Sequence, residues 1–581
     1  MPTSLDDVKL TLVESSEEYD AFRRWLGEHR RVLAVDIETT GLSLAKDRIR
    51  TVQFGDTQSG WCLPWEDWRG GSWSGAVRQV LREYEGPLVL QHAKFDAGFL
   101  QREGVRWPWH KTHDTMIMNF LVNSMGPKSL KPAAAYYLEE PAARAGEQEL
   151  KRAMHKNGWT YASIPIDFPG YWAYGALDTV LTARLAEVQW YAMQPYIAAY
   201  DLELACERVL CDMELRGVRV DVEYCEEQER VHLGELADVV AQLAEIAGPD
   251  FNPGSSDQVV AALEREGVKL TKRTEKGKLS VDEEVLSSVD NNVARLVLEH
   301  RTLEKLVGSF FSNFIRYNRD RRVHPRINQL QARTGRMSVT EPALQTVPRK
   351  KVVRDAFIPD EGHKMILVDY DNEELRVAAH FAGDQNMIDA LAEGRDLHGE
   401  TAARLYGPGY TPAQRTTAKN ARFSWLYGAG VPKFARTAGI PESEAAAVFR
   451  TLSEMSPGMA RTMTEVVRRV RERAAGSEFG WITISDGRNL KVKADKAYAG
   501  FNFLVQGSCA VVLKQSIVDL DAAGLGDFIR LPIHDELIFS VPEGDLDAAV
   551  PEIQRCMTRE DWRVPLTVSP KIVDRWGDEY E

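Results

Sequence analysis

The chain has 581 residues, 44% hydrophobic and 27% charged, a length that exceeds one hydrophobic core and fits roughly three to five globular units. No apolar run comes near the roughly 18 residues of a membrane span, and the opening MPTSLDDVKL lacks the basic and apolar parts of a signal peptide, so the cytoplasm is the expected location. A formal net charge of −14 argues against a polyanionic partner unless positive charge is gathered locally.

Residues 31–190 alternate β-rich runs (RVLAVDI, RTVQFGD, PLVLQH) with helical patterns (THDTMIMNFLVNS, ALDTVLTARLAEVQWYA), which is α/β alternation. In LAVDIETTGL, Asp36 and Glu38 lie two apart on a strand and point to one face, with Val35 and Ile37 on the other. Two carboxylates so close repel unless something positive bridges them; a divalent cation is the simplest occupant, and an exposed strand edge is the alternative. HAKFDAGFL places Asp96 inside an apolar and aromatic run, and Tyr174 and Asp178 stand four apart on one helix face. The six cysteines, at 62, 206, 211, 225, 509 and 556, show neither CxxC nor zinc spacing with histidine and are read as reduced structural thiols.

From about 200 to 320 the periodicity is mostly helical, broken by FNPGSS and by the polar KRTEKGK, a hairpin or loop tip. Residues 316–354 carry eleven Arg or Lys against two acids, a track for a polyanion or, alternatively, a solvated face with dispersed counter-charges. The strand KMILVDYD then brings Asp369 after an apolar run. In RTTAKNARFSWLYGAG, Arg415, Lys419, Phe423 and Tyr427 are spaced by four, one drifting helical stripe. Two cations followed by two aromatics fit a nucleoside triphosphate; the alternative is an amphipathic helix whose rings face a core. Finally, RLPIHDELIFSV reads as a single strand, Leu531, Ile533, Leu537 and Phe539 on one face and Asp535 in their midst. An unpaired carboxylate there is costly, so Asp369 and Asp535 are expected to partner each other through metal.

The segments DIETTGL, HAKFDAGFL and YGALD resemble the three motifs of DEDD-type 3′–5′ exonucleases of the tyrosine variant. VDYDNEELR, RTTAKNARFSWLYG and LPIHDELIF resemble motifs A, B and C of the family A DNA polymerases, the class of bacterial DNA polymerase I. ARTGRMSVTEPALQTVP, GRDLHGETA and FLVQGS match further family segments, and the resemblance runs from about residue 31 to the C-terminus.

The resemblance implies α/β and α+β domains, a ribonuclease H-like exonuclease followed by a right-hand polymerase. The expected division is 1–195 exonuclease, 196–320 thumb with the start of the palm, 321–390 palm, 391–500 fingers and 501–581 the second part of the palm. It implies template-directed DNA synthesis from dNTPs on primer–template DNA with proofreading, and two Mg²⁺ per active site with Mn²⁺ as substitute. Asp36, Glu38, Asp96 and Asp178 would hold one metal pair, with Tyr174 orienting the attacking water; Asp369, Asp535 and the Tyr370 carbonyl would hold the other. Arg415 and Lys419 would grip the incoming phosphates, Phe423 and Tyr427 would shape the sugar and base pocket, and Glu374 would block a ribose 2′-hydroxyl. Arg336 and Gln506 would touch the minor groove, while His534 and Glu536, on the opposite strand face, would support the primer terminus and the site.

Two departures from the family pattern stand out. Asp371, Asn372 and Glu373 replace a small polar residue, glutamine and an aliphatic residue, so Glu373 is expected to face solvent or a cation such as Arg376. Tyr498 stands where relatives often carry arginine. With the exonuclease strand starting near residue 33, no 5′-nuclease domain is expected, a form common among bacteriophage enzymes; the chain is expected to act as a monomer, and no replisome partner is specified. Rival readings are an exonuclease with an inactive polymerase half, which intact Asp369, Lys419 and Asp535 oppose, and a non-catalytic primer–template binder, which would not require four exonuclease acids.

Overall fold

Short β-branched runs between residues 9 and 114 assemble one mixed sheet of β1 (Lys9–Leu12), β2 (Leu33–Thr39), β3 (Ile49–Gly55), β4 (Ser59–Pro64), β5 (Leu88–Leu90) and β6 (Thr112–Asp114), in the order β1–β4–β3–β2–β5–β6. In this computed structural model residues 5–28, 31–140, 143–274 and 276–579 are described; the expected domain limits at 1 and 581 fall outside them. β2, β3 and β4 run antiparallel by hairpins, whereas β5 and β6 lie parallel to β2. Along β2, buried Val35 and Ile37 alternate with half-buried Asp36 and Glu38, as the pleat requires. Helices α1 (Ala93–Arg102) and α3 (Pro169–Met193) pack on this sheet, α3 crossing β2, β3 and β4, and α2 (Leu130–Tyr137) packs on α3.

Helix α4 (Ile197–Arg216) leaves the first unit and packs on both α1 and the later helix Gly500–Ala522. Lys94 on α1 reaches across to Glu214 on α4 and to the Ile327 carbonyl, a buried tie between the two halves. The polar KRTEKGK closes on itself through an isolated bridge, Arg273 with Leu279, in keeping with a hairpin tip.

The second sheet holds β7 (His363–Tyr370), β8 (Ile529–Ile533), β9 (Glu536–Pro542) and β10 (Val568–Val573), all neighbours antiparallel in the order β8–β9–β7–β10. Here the structure corrects the reading of residues 530–541 as one strand. They form a hairpin, Ile533 facing Glu536 across a turn of His534 and Asp535. His534 takes the left-handed conformation (φ 58°) that a two-residue hairpin demands. Asp535 therefore projects from a turn, not from an apolar strand face, and His534 and Glu536 do not share an opposite face of one strand.

Helix α5 (Glu373–Ala382) leaves β7 through Asn372, also left-handed at φ 53°. Helix α6 (Pro412–Leu426) starts at a capping box: the Thr411 hydroxyl accepts from the Gln414 amide, and the Gln414 side chain accepts from the Thr411 amide at 2.8 Å. Helix α7 (Gly500–Ala522) belongs to a helical segment, Ala494–Ala522, apolar enough by composition to span a membrane, contrary to the reading of the sequence. Two thirds of its apolar window is packed inside the fold, where both faces are used. All six cysteines are free and buried.

Seven of the eleven cations in residues 316–354 are ion-paired, among them Arg321 with Glu223, Arg322 with Asp360 and Lys351 with Asp578. The dispersed counter-charge reading thus holds for much of the run. Among the described residues Arg316, Arg333, Arg349 and Lys350 have no carboxylate at ion-pair distance.

Fully buried Glu203 on α4 accepts from Lys514 Nζ on α7 at 2.8 and 2.9 Å and from Arg488 Nη1 at 2.5 Å. Removing it strands two buried cations. Glu203→Ala is expected to destabilise the protein by about 3–5 kcal/mol, read as a lower urea midpoint; an unchanged midpoint would contradict this role.

Candidate active sites

The first site forms where three elements deliver acids to one end of the first sheet. The Ile37 amide donates to Asp96 Oδ1 at 3.0 Å, which fixes the start of α1 against β2 beside Asp36 and Glu38. Helix α3 approaches closely because residue 175 is glycine: a Cβ there would lie 2.9 Å from Gln53 Nε2 and 3.2 Å from Glu38 Cγ. One helical turn apart on α3, Tyr174 and Asp178 complete the set.

Sequence reasoning missed Lys131 on α2. Only 4% exposed, it ion-pairs with Asp178 and sits 4.1 Å from the Tyr174 ring centre. Its position in LKPAAAYY, polar within an apolar helix face, was the available signal. Burial pushes the Asp36 carboxyl up to about 7, and burial together with Asp36 pushes Glu38 up to about 8. Asp96 is raised well above the usual range by burial and Asp36. Burial lowers the Lys131 ammonium to about 8 against the pull of Asp36 and Glu38. One lysine does not neutralise four acids.

The second site lies at one end of the second sheet. Asp369 on β7 pairs in register with Glu536 on β9, directly beside Asp535 in the turn. Burial first, then Asp535, raises Asp369 to about 7; burial, Glu579 and Asp369 raise Glu536 to about 8. Asp535 is raised by burial. Asp369 Oδ1 is buried with no hydrogen-bond donor among the described residues. An orphaned oxygen beside a second aspartate suits a hard divalent cation with oxygen ligands. Tyr370 is held by its hydroxyl, 2.8 Å from Ser516 Oγ and donating to the Met557 carbonyl at 2.6 Å, so its own carbonyl sits at a fixed strand end next to Asp369.

Glu374 on α5 is gripped from two sides, by the Arg336 guanidinium and the Tyr427 hydroxyl, and Gln506 on α7 bonds Tyr427 in turn. The structure thus gathers Glu374, Arg336, Tyr427 and Gln506 into one cluster. Arg415, Lys419 and Phe423 lie on α6, with Tyr427 at its C-cap and its ring 5.9 Å from that of Phe423. His534 is exposed and, like Asp369, within the field of Arg349.

Three further groups escaped the sequence reading. Arg415 is held by Asp396 through two hydrogen bonds of 2.7 and 2.9 Å. His398 packs 5.8 Å from the Phe423 ring, its Nδ1 buried without a partner among the described residues, and burial beside Arg422 and Lys419 depresses its pKa to about 4. Arg349 was counted only as one more charge of a basic run. GRDLHGETA was noted as a family segment, but single residues in it carried no chemical pattern of their own.

Neither expected escape for Glu373 is taken. It is 3% exposed, and Arg376 instead donates to the Asp371 and Pro565 carbonyls. Burial and Asp535 raise its carboxyl well above the usual range, beside Arg336 and the Cys509 thiol. Burial thus favours its neutral form, the opposite of the solvent exposure expected from the sequence. Asp371 turns away to the hydroxyls of Thr567 and Ser569, at 2.9 and 2.7 Å. Tyr498 is half exposed, and its carbonyl would lie 2.5 Å from a Cβ at residue 428, where glycine at φ 69° allows the close approach.

Residues 222–578 match the family described as DNA polymerase family A, and residues 10–189 match a 3′–5′ exonuclease family. A DNA polymerase of Mycobacterium phage L5 is 31% identical over 99% of this chain and 98% of its own length. DNA polymerase I of Chloroflexus aurantiacus is 30% identical over 85% of this chain and 55% of its own length. A solved structure described as the POL domain of Pol1 from M. smegmatis, in complex with DNA primer-template and dNTP, superposes with a TM-score of 0.79 at 23% identity, covering 95% of this chain and 97% of that one.

Because the folded-state pKa values of Asp36, Glu38, Asp369 and Glu536 lie near 7 to 8, above the unfolded range, cation-free stability is lost as pH rises from about 4 through about 8. A divalent cation that binds the ionised forms offsets that loss. Magnesium chloride is expected to raise the melting temperature more at about pH 8 than at about pH 6, measured against chelator-treated protein. An equal rise at both values would contradict the assignment.

Proposed function

The chain belongs to DNA polymerase family A and carries a 3′–5′ exonuclease domain, and on that premise we propose that it extends primers on a DNA template from dNTPs and removes mispaired 3′ ends at a separate centre. The observation that carries this reading is the register that sets Asp369 against Glu536 and next to Asp535, on a different sheet from Asp36, Glu38, Asp96 and Asp178. The mycobacterial relative captured with primer-template and dNTP supports the choice of substrates.

In the polymerase centre Asp369, Asp535 and the Tyr370 carbonyl would hold Mg²⁺, and in the exonuclease centre Asp36, Glu38, Asp96 and Asp178 would do so, Mn²⁺ being an alternative. When bound, such metal pairs supply an acidified attacking oxygen and charge neutralisation for the leaving one. Arg415 and Lys419 attract the triphosphate, for which Arg415 exchanges its exposed Asp396 partner, and His398 beside Phe423 closes that flank. Phe423 and Tyr427 present ring faces to base and sugar. Glu374, fixed by Arg336 and Tyr427, fills the space a ribose 2′-hydroxyl would need. His534 and Arg349 face the primer end, and Arg336 and Gln506 its minor groove.

In the exonuclease centre Tyr174 orients the attacking water. Lys131 holds Tyr174 and Asp178 in place and supplies positive charge to the same carboxylates that would hold the metal. Separate centres give editing a discrimination that base pairing alone lacks.

We propose residues 1–195 as exonuclease, 196–320 as thumb with the start of the palm, 321–390 and 501–581 as the two parts of the palm, and 391–500 as fingers. The family matches at 10–189 and 222–578 and the joining of 363–370 with 529–573 in one sheet support this division.

Asp535→Ala is expected to lower primer extension by at least about 10³-fold, the scale of losing a principal charge-stabilising group, while a labelled 3′ end is still degraded without dNTPs. Asp36→Ala should do the reverse; loss of both activities in either variant would refute two independent centres. Phe423 offers no hydroxyl to the sugar pocket, so dideoxynucleotides should be incorporated more slowly than dNTPs in competition, and Phe423→Tyr should narrow the gap. Equal use by the unmodified enzyme would contradict this role.

A further inference from the structure

The exonuclease sheet has a second opening at the end opposite its acids. Asp36 and Glu38 lie in the C-terminal half of β2, and Asp96 follows the C-terminal end of β5. At the other end, the segments entering β5 and β6 and the helix Ser74–Glu83 enclose a cleft of about 860 Å³. That volume falls within the range of small-molecule sites.

Its lining inverts the charge of the molecule. Arg78, Arg82, Arg106 and Lys111 face it together with His110, against one carboxylate, Glu85, in a chain of net charge −14. Among the described residues none of these four cations forms an ion pair with a carboxylate. The Lys111 ammonium donates to the Tyr84 carbonyl, and the Arg78 guanidinium lies 5.0 Å from the Trp65 ring centre.

Aromatic groups stand between the charges. Trp107, Trp109 and Tyr84 line the cleft. Tyr84 is 7% exposed, and its hydroxyl, like the Trp109 indole N–H, is buried without a hydrogen-bond partner among the described residues. Both atoms are closed off from solvent, so what the cleft offers a ligand is its cations and the half-buried Trp109 ring.

We propose that this cleft binds a segment of single-stranded nucleic acid, its phosphates against Arg78, Arg82, Arg106 and Lys111 and a base against Trp109. Cations interleaved with ring faces suit a nucleotide strand, since every base offers a π-face and every linkage a charge. An acidic peptide would use the charges and leave the rings idle. A mononucleotide would use one phosphate, whereas the cations are spread over a helix and the loop 103–111.

The test uses the full chain with Asp36→Ala, so that the strand is not degraded, and with primer–template duplex occupying the polymerase cleft. A thymidine oligonucleotide carrying 5-iododeoxyuridine is photocrosslinked and the adducts are mapped by mass spectrometry. The expected adduct lies within residues 104–111 and falls at least about tenfold in Arg82→Glu/Arg106→Glu, both exposed positions, as two phosphate contacts are lost. The same double variant without Asp36→Ala should keep extension and exonuclease rates on a short duplex within about twofold. Adducts confined to peptides around Asp96 or Asp535 would overturn the proposal. Polyglutamate competing as well as oligonucleotide, or dTMP competing as well at equal phosphate concentration, would overturn it too.

Discussion

Repulsion between buried carboxylates is the constraint on which both centres rest. At an effective dielectric near 20, two like charges about 4 Å apart oppose each other by about 4 kcal/mol, a large part of what holds a domain folded. The chain crowds Asp369, Asp535 and Glu536 at one sheet end and Asp36, Glu38, Asp96 and Asp178 at another. Without a cation, burial raises the Asp36 and Asp369 carboxyls to about 7, toward the neutral form, and in the exonuclease Lys131 supplies a compensating charge. Both devices leave the acids ready to exchange a proton or an ammonium for metal.

The rest of the fold divides into what must not move and what must. Glu203, Arg488 and Lys514 are fully desolvated and mutually bonded, tying α4, α7 and the hairpin at 479–493 into one body. Such a set tolerates no missing member. The Arg415–Asp396 pair, by contrast, is nearly half exposed on both sides, and exposed pairs contribute only about 0–1 kcal/mol. Its geometry orients the guanidinium while its small energy lets a triphosphate displace the carboxylate. Rigid acids and an exchangeable arginine are what a centre needs when metal stays and substrate turns over.

Much of this was legible along the chain because the decisive acids sit where local periodicity exposes them. Asp36 and Glu38 alternate with Val35 and Ile37 on a real strand, and Arg415, Lys419 and Phe423 share a real helix. What failed was register across a turn. Apolar residues on both arms of a hairpin mimic one alternating strand, and His534–Asp535 carries no glycine or asparagine to mark the reversal. Lys131, His398 and Asp396 were missed because each earns its role from a partner far away in sequence or on another helix. Glu373 shows the same limit: the expected partner Arg376 is engaged by the Asp371 and Pro565 carbonyls, and only the fold shows that Glu373 is buried, which pushes its carboxyl above the usual range.

Anomalous diffraction from crystals soaked in manganese tests the central claim most directly, because it locates cations without reference to activity. The account predicts density in two places, one among Asp36, Glu38, Asp96 and Asp178 and one between Asp369 and Asp535. Manganese at only one of them, or bound elsewhere while Asp369 and Asp535 stay metal-free at alkaline pH, would contradict it.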